Sequence, residues 1–316
     1  MAKSILVIGA FGLVGSDLVP ALQKKFGKYN VFALGNKTIP ADFDGNLVKG
    51  DVRDAASLEK IIKKYKITDV YHLAGILSVG SEKDPLLAWE VNFGGLKNVL
   101  ELAKTYKFKV FWPSSIAAFG PTTPKIKTPQ HTSLEPTTIY GVAKVAGELL
   151  CQYYFKRYGV DARSLRYPGL TGYKAPPGDG TTEYSVHIFY RLLKENKYSC
   201  FLKENTRLPM MYIDDAIKGT INLMEAPAKN ISIRTSYNFS AINFTPEEIV
   251  KEIKKLYPTF KCTYDPDPAK QAIAESWPES IDDSVARKDW GWKQEFTLPK
   301  MTKVMIAGLK KKLNKS

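Results

Sequence analysis

Cysteine and histidine are both scarce in this chain of 316 residues. The three cysteines, Cys151, Cys200 and Cys262, are scattered, so they form neither a disulfide framework nor a set of metal ligands. The three histidines do not add a metal-ligand spacing. We therefore expect no bound metal, no zinc-dependent chemistry and a reducing, cytoplasmic environment.

Long apolar runs are also missing. No segment approaches the roughly 20 apolar residues that a membrane-spanning helix needs. The first eight residues lead directly into a strand-like run, without the pattern of a signal peptide. Because 44% of the residues are hydrophobic, we expect a globular chain with no membrane segment, of two domains or one large domain.

Positive charge is in excess, with a formal net charge of +14. The lysines are dispersed, and the pairs Lys24-Lys25, Lys63-Lys64 and Lys254-Lys255 fall in helical patterns, on the solvent-facing side. This distribution does not favour nucleic acid as a partner. A positive field of this kind should instead attract an anionic dinucleotide.

Strand and helix patterns alternate from the N-terminus to about residue 168, which predicts an α/β fold with a doubly wound parallel sheet. The first strand, residues 4–8, is followed at once by Gly9, Gly12 and Gly15 and then by a helix. Glycines at this spacing let the backbone turn tightly and let a pyrophosphate approach the helix N-terminus. The sequence therefore predicts a dinucleotide site of the Rossmann type.

The far end of this dinucleotide site departs from the usual pattern. An acidic residue normally binds the adenine ribose of NAD after the second strand, but Gly35 occupies that position. Asn36 could bind a ribose hydroxyl, and Lys37 could bind the 2′-phosphate of NADP. Asp51, just past the third strand, can reach an adenine amino group. We expect NAD, with NADP left open.

The fourth and fifth strands predict further site residues. We interpret His72, inside the fourth strand, as a core residue. Ala74 and Gly75 follow it, and such small residues allow a close approach to a cofactor. Ser78 falls in a loop at 76–80. The fifth strand, residues 109–115, carries Ser114 and Ser115 at its carboxyl end, where open α/β sheets bind ligands.

Tyr140 and Lys144 are four residues apart, so they lie on one face of a helix, one turn from each other. A nearby ammonium favours the phenolate and lowers a tyrosine pKa that is about 10 in water. We expect Tyr140 to act as a general base near neutral pH. Ser115 could then hold a substrate oxygen beside it.

The pattern changes after residue 168. Loops, shorter helices and a capping box at Thr245 predict a smaller mixed C-terminal lobe. We expect a Rossmann domain over residues 1–168, joined again by residues 212–240. Residues 169–211 and 241–316 then form the substrate lobe.

Four motifs in this order resemble the extended short-chain dehydrogenase/reductase family. They are Gly9-x-x-Gly12-x-x-Gly15, Ser115 before Gly120, Tyr140-x-x-x-Lys144 and Arg166-Tyr-Pro-Gly169. Further stretches resemble one branch, the short-chain-type L-threonine 3-dehydrogenases. These stretches are 113–121, 140–150, 180–184, 208–212 and 276–291.

The resemblance implies oxidation of the L-threonine β-hydroxyl to 2-amino-3-ketobutyrate, with a hydride passing to NAD and a homodimer as the assembly. It implies catalysis by Tyr140, Lys144 and Ser115. The implied cofactor contacts are Gly9, Gly12, Leu13, Val14, Gly15, Asn36, Asp51, Val52, Leu73, Ala74, Gly75, Tyr140, Lys144 and Tyr167. The implied substrate contacts are Ser78, Ser114, Ser115, Tyr140, Thr182 and Trp277.

Two other functions share parts of this pattern. A nucleotide-sugar epimerase or dehydratase would use the same nucleotide half with the same Tyr140 and Lys144, but it would need a larger substrate pocket. A non-catalytic sensor would bind NAD or NADP without turnover. It would have no need for Ser115, Tyr140 and Lys144 together.

Overall fold

The computed structural model describes residues 3–36, residue 40 and residues 43–314. The strands among them are β1 (Ile5–Ile8), β2 (Val31–Gly35), β3 (Asn46–Lys49), β4 (Asp69–His72), β5 (Lys109–Ser115), β6 (Ala162–Tyr167), β7 (Gly169–Thr171), β8 (Lys197–Cys200), β9 (Leu208–Tyr212), β10 (Tyr237–Asn238), β11 (Ile242–Phe244) and β12 (Lys261–Tyr264).

The α-helices of the same described ranges surround these strands. They are α1 (Gly15–Phe26), α2 (Ala55–Tyr65), α3 (Ser78–Lys83), α4 (Pro85–Trp89), α5 (Gly95–Tyr106), α6 (Ile139–Tyr158), α7 (Tyr184–Glu195), α8 (Ile213–Glu225), α9 (Pro246–Lys254), α10 (Pro268–Ser276), α11 (Ser284–Trp290) and α12 (Leu298–Leu313). In the part of the chain that is described, no helix is long and apolar enough to cross a membrane.

A parallel sheet of seven strands forms the centre of the larger region, in the order β10-β6-β5-β4-β1-β2-β3. Side chains of β1 alternate between two cores: Ile5 and Val7 pack with α1, whereas Leu6 and Ile8 pack with α2 and α5. The predicted doubly wound α/β fold is thus confirmed. The strand order changes direction at β1, and ligands of such sheets bind beyond the carboxyl ends of the strands at that point.

The smaller region contains two short sheets, one in the order β11-β9-β7 and one of β12 with β8. The first is mixed, because β7 runs parallel to β9 and β11 runs antiparallel to it. The chain returns to the main sheet through β10, which pairs with β6. The capping box at Thr245 is confirmed by both of its hydrogen bonds. The domain boundaries stay a prediction.

The segment around Ser78 differs from the expectation of a loop, because Ser78 begins α3. A helix of six residues is too short to produce a periodic pattern in the sequence. Its entry is fixed by Asn92, which accepts a hydrogen bond from the Ile76 N–H (2.7 Å) and donates one to the Ile76 carbonyl (3.0 Å). Asn92 lies in a π-helical turn, Glu90–Gly94, between α4 and α5.

Candidate active site

A cavity of about 290 Å³ lies beyond the carboxyl ends of β1, β4, β5 and β6, at the junction with the smaller region. It brings most of the predicted site residues together. Those that line it are Gly9, Gly12, Leu13, Val14, Gly15, Leu73, Ala74, Gly75, Ser78, Ser114, Ser115, Tyr140, Lys144, Tyr167, Thr182 and Trp277.

The turn after β1 leaves no room for a side chain at Gly9 or at Gly15. Gly9 has a φ of 82°, and a Cβ there would lie 2.6 Å from the Ala74 nitrogen. A Cβ at Gly15 would lie 2.4 Å from the Gly9 carbonyl oxygen. Among the described residues, no side chain caps the N-terminus of α1 at Val14. The bare backbone and the positive helix end fit the pyrophosphate of a dinucleotide.

Ser115, Tyr140 and Lys144 meet on the floor of the cavity. Thr138 begins the helix that carries the last two, since its Oγ1 accepts a hydrogen bond from the Gly141 N–H at 3.1 Å. The Ser115 hydroxyl, at the end of β5, lies beside the Tyr140 phenol and acts to lower its pKa. The Lys144 Nζ lies 5.2 Å from the centroid of the Tyr140 ring.

The expected lowering of the Tyr140 pKa does not occur in this chain alone. Burial raises the pKa of Tyr140 to about 12, and the neighbouring Ser115 hydroxyl offsets only part of that effect. The Lys144 Nζ donates to the Pro113 carbonyl at 2.6 Å and lies 4.5 Å from the Trp112 ring centroid. Burial also lowers the pKa of Lys144 to about 7, so its positive charge is itself weakened.

A buried network of charged and polar side chains lies next to Ser115 and Lys144. Glu148, one turn after Lys144 on α6, accepts two hydrogen bonds from Arg166, at 2.9 and 2.7 Å. It also accepts one from the Ser114 hydroxyl at 2.6 Å. Arg166 further donates to the Asn238 side chain at 2.9 Å. The Ser114 hydroxyl therefore already has a partner, and its contact with a substrate stays a prediction.

His72 is a core residue, as predicted. Its side chain is fully buried in β4, and neither ring nitrogen has a hydrogen-bond partner within the described residues. Burial, together with the charge of Lys144, lowers the pKa of His72 to about 3. The imidazole is therefore neutral in the physiological range.

The smaller region also contributes to the lining of the cavity, through Thr182 and Trp277. Sequence reasoning missed their neighbours Thr181 and Glu183, although all three residues of the 3₁₀ turn Thr181–Glu183 stand in one quoted stretch. The Thr181 hydroxyl is buried and has no partner in the described part of the chain. Glu183 is 5% exposed and accepts a hydrogen bond from the Gly178 N–H at 3.1 Å. Burial raises the pKa of its carboxyl.

The predicted adenine end lies outside the cavity. Asn36 donates to the Asp51 carboxylate at 3.0 Å, and Arg53 binds the same carboxylate at 2.7 Å. The Arg53 guanidinium holds the pKa of Asp51 below its usual value. Val52 packs against Gly95 instead of lining the cavity. The cofactor contacts of Asn36, Asp51 and Val52 stay predictions, and Lys37 lies outside the described residues.

The family model for the NAD dependent epimerase/dehydratase family matches residues 5–238. The chain belongs to this family. It is an enzyme of a class that uses a nicotinamide cofactor, and the glycine turn after β1 fits that cofactor. The resemblance to the extended short-chain dehydrogenases is confirmed.

Individual proteins of known sequence or structure are similar to this chain over almost its whole length. An uncharacterized epimerase/dehydratase of Staphylococcus aureus is 45% identical over 313 residues, with 98% of each chain covered. The crystal structure of L-threonine dehydrogenase from Phytophthora infestans is 47% identical, covers 98% of this chain and 100% of its own, and has a TM-score of 0.95. A monomeric L-threonine 3-dehydrogenase from a metagenome is 48% identical, covers 97% and 99%, and has a TM-score of 0.94.

Proposed function

We propose that the protein oxidises the β-hydroxyl of L-threonine to 2-amino-3-ketobutyrate and transfers the hydride to NAD. The observation that carries the proposal is the meeting of three features at one cavity: the glycine turn at Gly9, the Ser115–Tyr140 pair and Trp277. The threonine dehydrogenases among the solved structures, nearly half identical over almost the whole chain, support the choice of substrate.

In the proposed mechanism Ser115 orients the β-hydroxyl and Tyr140 accepts its proton. A nicotinamide bound in this cavity would supply the redox chemistry, since it can accept the hydride. Tyr140 is protonated at neutral pH in the chain alone, because its pKa is about 12. Activity therefore requires positive charge beside the phenol, which Lys144 would supply in its ammonium form and a bound oxidised nicotinamide would reinforce.

The amino-acid end of the substrate is proposed to contact Ser78, Ser114 and Thr182, with the Trp277 indole over it. Ser78 and Thr182 both line the cavity, one at the start of α3 and the other in the 3₁₀ turn. Polar groups converging on a small cavity suit a zwitterionic substrate better than an apolar one.

The test is an assay for reduced nicotinamide with L-threonine and either NAD or NADP. We expect NAD to be the better acceptor, and the comparison also decides the role of Gly35, Asn36 and Lys37. The second candidate is a nucleotide-sugar epimerase or dehydratase, and the name of the staphylococcal relative, an uncharacterized epimerase/dehydratase, supports that reaction class without naming a substrate. Turnover of UDP-sugars without turnover of threonine would replace the first proposal by the second.

We also propose a homodimer that uses α6 and α5. On α6, Val142 and Leu149 lie two turns apart on one face and are 42% and 57% exposed. Leu86 on neighbouring α4 is 81% exposed. An apolar face of this kind suits a self-complementary contact. Light scattering should give a dimer mass that Leu149→Lys lowers, and a monomeric wild type, as described for the metagenome relative, contradicts this.

A further inference from the structure

The indole of Trp277 is 7% exposed and lines the cavity at the end of α10. Trp277 precedes Pro278 and has a φ of −91° and a ψ of 162°. A residue before proline favours this extended conformation, so the indole leaves the helix in a restricted direction. Its position over the cavity depends on what holds the end of α10.

A loop that is distant in sequence holds the segment after Trp277. The Glu279 N–H donates to the Lys125 carbonyl at 2.9 Å, and the Thr128 N–H donates to the Ser280 carbonyl at 3.0 Å. The Asp282 N–H returns to the Thr128 carbonyl at 3.0 Å. The loop between β5 and α6 therefore pairs with this segment like a short parallel strand.

The side chain of Lys125 extends this contact to α10 itself. Its Nζ donates to the carbonyls of Glu275 (2.7 Å) and Trp277 (3.1 Å). Carbonyls at a helix C-terminus lack partners within the helix and form the negative end of its dipole, so they favour a cation. The Glu275 carboxylate binds Lys203 and Gln271 instead. Lys125 therefore contacts the backbone on both sides of the turn that directs the indole.

We propose that Lys125 is a positioning residue that fixes the Trp277 indole over the cavity relative to Tyr140. The same loop runs on to Thr138, which begins the helix that carries Tyr140. One continuous segment thus connects the contact with Trp277 to the start of the helix that carries Tyr140. The kinetic consequence rests on the proposed function, because it takes Trp277 to contact the amino acid. The structural consequence does not.

The chain offers a matched pair of substitutions, Lys125→Met and Lys127→Met. Lys127 is exposed and belongs to the same loop, and its contact with Ser280 uses the backbone N–H, which methionine keeps. Each substitution removes one ammonium from this loop, and the ammonium of Lys125 is the one that contacts the end of α10. Lys125→Arg keeps a cation at the position and serves as the rescue variant.

The kinetic experiment compares KM, kcat and NAD affinity in these variants. We expect Lys125→Met to raise KM for L-threonine about tenfold, which corresponds to about 1.4 kcal/mol, with kcat nearly unchanged. NAD affinity should be unaffected, Lys127→Met should match the wild type, and Lys125→Arg should recover most of the loss. Equal KM values for L-threonine in the two methionine variants would overturn the proposal. A loss of NAD affinity in Lys125→Met as large as its loss of threonine affinity would overturn it as well.

A second readout does not depend on activity. The emission of Trp277 is obtained by subtracting the spectrum of a Trp277→Phe version of each protein, and its quenching by acrylamide is measured. We expect stronger quenching in Lys125→Met than in the wild type or Lys127→Met, with thermal unfolding showing that each protein is folded. Unchanged quenching contradicts the positioning role. If the wild type does not oxidise threonine, the proposed function fails while this measurement still tests Lys125.

Discussion

The two ends of the proposed dinucleotide cleft differ in their contact with solvent. At the catalytic end Lys144, Glu148 and Arg166 are 6%, 1% and 3% exposed. At the adenine end the charged pair of Arg53 and Asp51 has side chains that are 44% and 27% exposed. Burial therefore controls the charges at the first end, whereas water screens those at the second.

This difference in burial explains why the spacing of two residues in the sequence does not by itself predict their pKa values. Tyr140 and Lys144 have the spacing of a base and its activating cation. However, burial raises the pKa of Tyr140 and lowers the pKa of Lys144, which favours the neutral form of each side chain. At the exposed end Asp51 follows the ordinary rule, and its cationic neighbour lowers its pKa. The same pairwise reasoning works at the exposed end and fails at the buried one.

The largest effect should come from Tyr140→Phe at the buried end. It removes the proposed proton acceptor, so turnover should fall by about 10²–10⁴-fold. Cofactor binding, followed by nicotinamide fluorescence, should persist. Tyr153→Phe, on the exposed face of the same helix, is the control. Near-normal turnover in Tyr140→Phe would remove this residue from the mechanism.

Glu148→Gln should have the next largest effect. It leaves the Arg166 guanidinium buried without its carboxylate, so the free energy of unfolding should fall by about 3–5 kcal/mol. The comparison is Glu247→Gln, which breaks the exposed pair with Lys251 and should cost about 0.3–0.5 kcal/mol. Urea unfolding measures both. Equal losses would show that burial does not separate the two environments.

The lowered pKa of buried Lys144 should make the free energy of unfolding depend on pH. Its pKa is lowered from 10.5 to about 7 in the folded state, so the unfolded chain binds more protons between these values. The contribution of Lys144 to the free energy of unfolding therefore rises with pH from about 7 to about 10. Urea titrations across this range should give a smaller upward slope in Lys144→Met than in the wild type. Parallel slopes contradict the depressed pKa.

The smallest effect should come from Arg53→Ala at the exposed end. Solvent screens its pair with Asp51, so the urea midpoint should stay at the wild-type value. KM for NAD should change by less than about threefold, since an exposed ion pair contributes little. A loss of stability like that of Glu148→Gln would remove the distinction between the two ends.

Local patterns in the sequence were enough to predict the strand, glycine turn and helix at the start of the nucleotide half. Gly9, Gly12 and Gly15 lie within one turn between a strand and a helix, and the sheet brings Ser115 to the Tyr140 helix by adjacency of β5 and β6. Such contacts follow from spacing and from the rule that ligands bind beyond the carboxyl ends of parallel strands.

Contacts between distant segments were not predictable in the same way. The pairing of Lys125 with the Trp277 segment crosses a long stretch of chain, and no periodic pattern marks either partner. Glu183 stood in a quoted motif, but its burial at the cavity depends on tertiary packing. The pKa of Tyr140 likewise depends on surrounding side chains that spacing alone does not reveal.

In the proposed reaction a hydride leaves the β-carbon of threonine and reaches the nicotinamide at the cavity that holds Tyr140. The most direct measurement uses L-threonine with deuterium on that carbon, followed by mass spectrometry of the cofactor. We expect the reduced cofactor to carry the deuterium, and Tyr140→Phe to form little of it. Reduced cofactor without deuterium would contradict the proposed hydride transfer. The absence of any reduced cofactor with the wild-type protein would contradict it too.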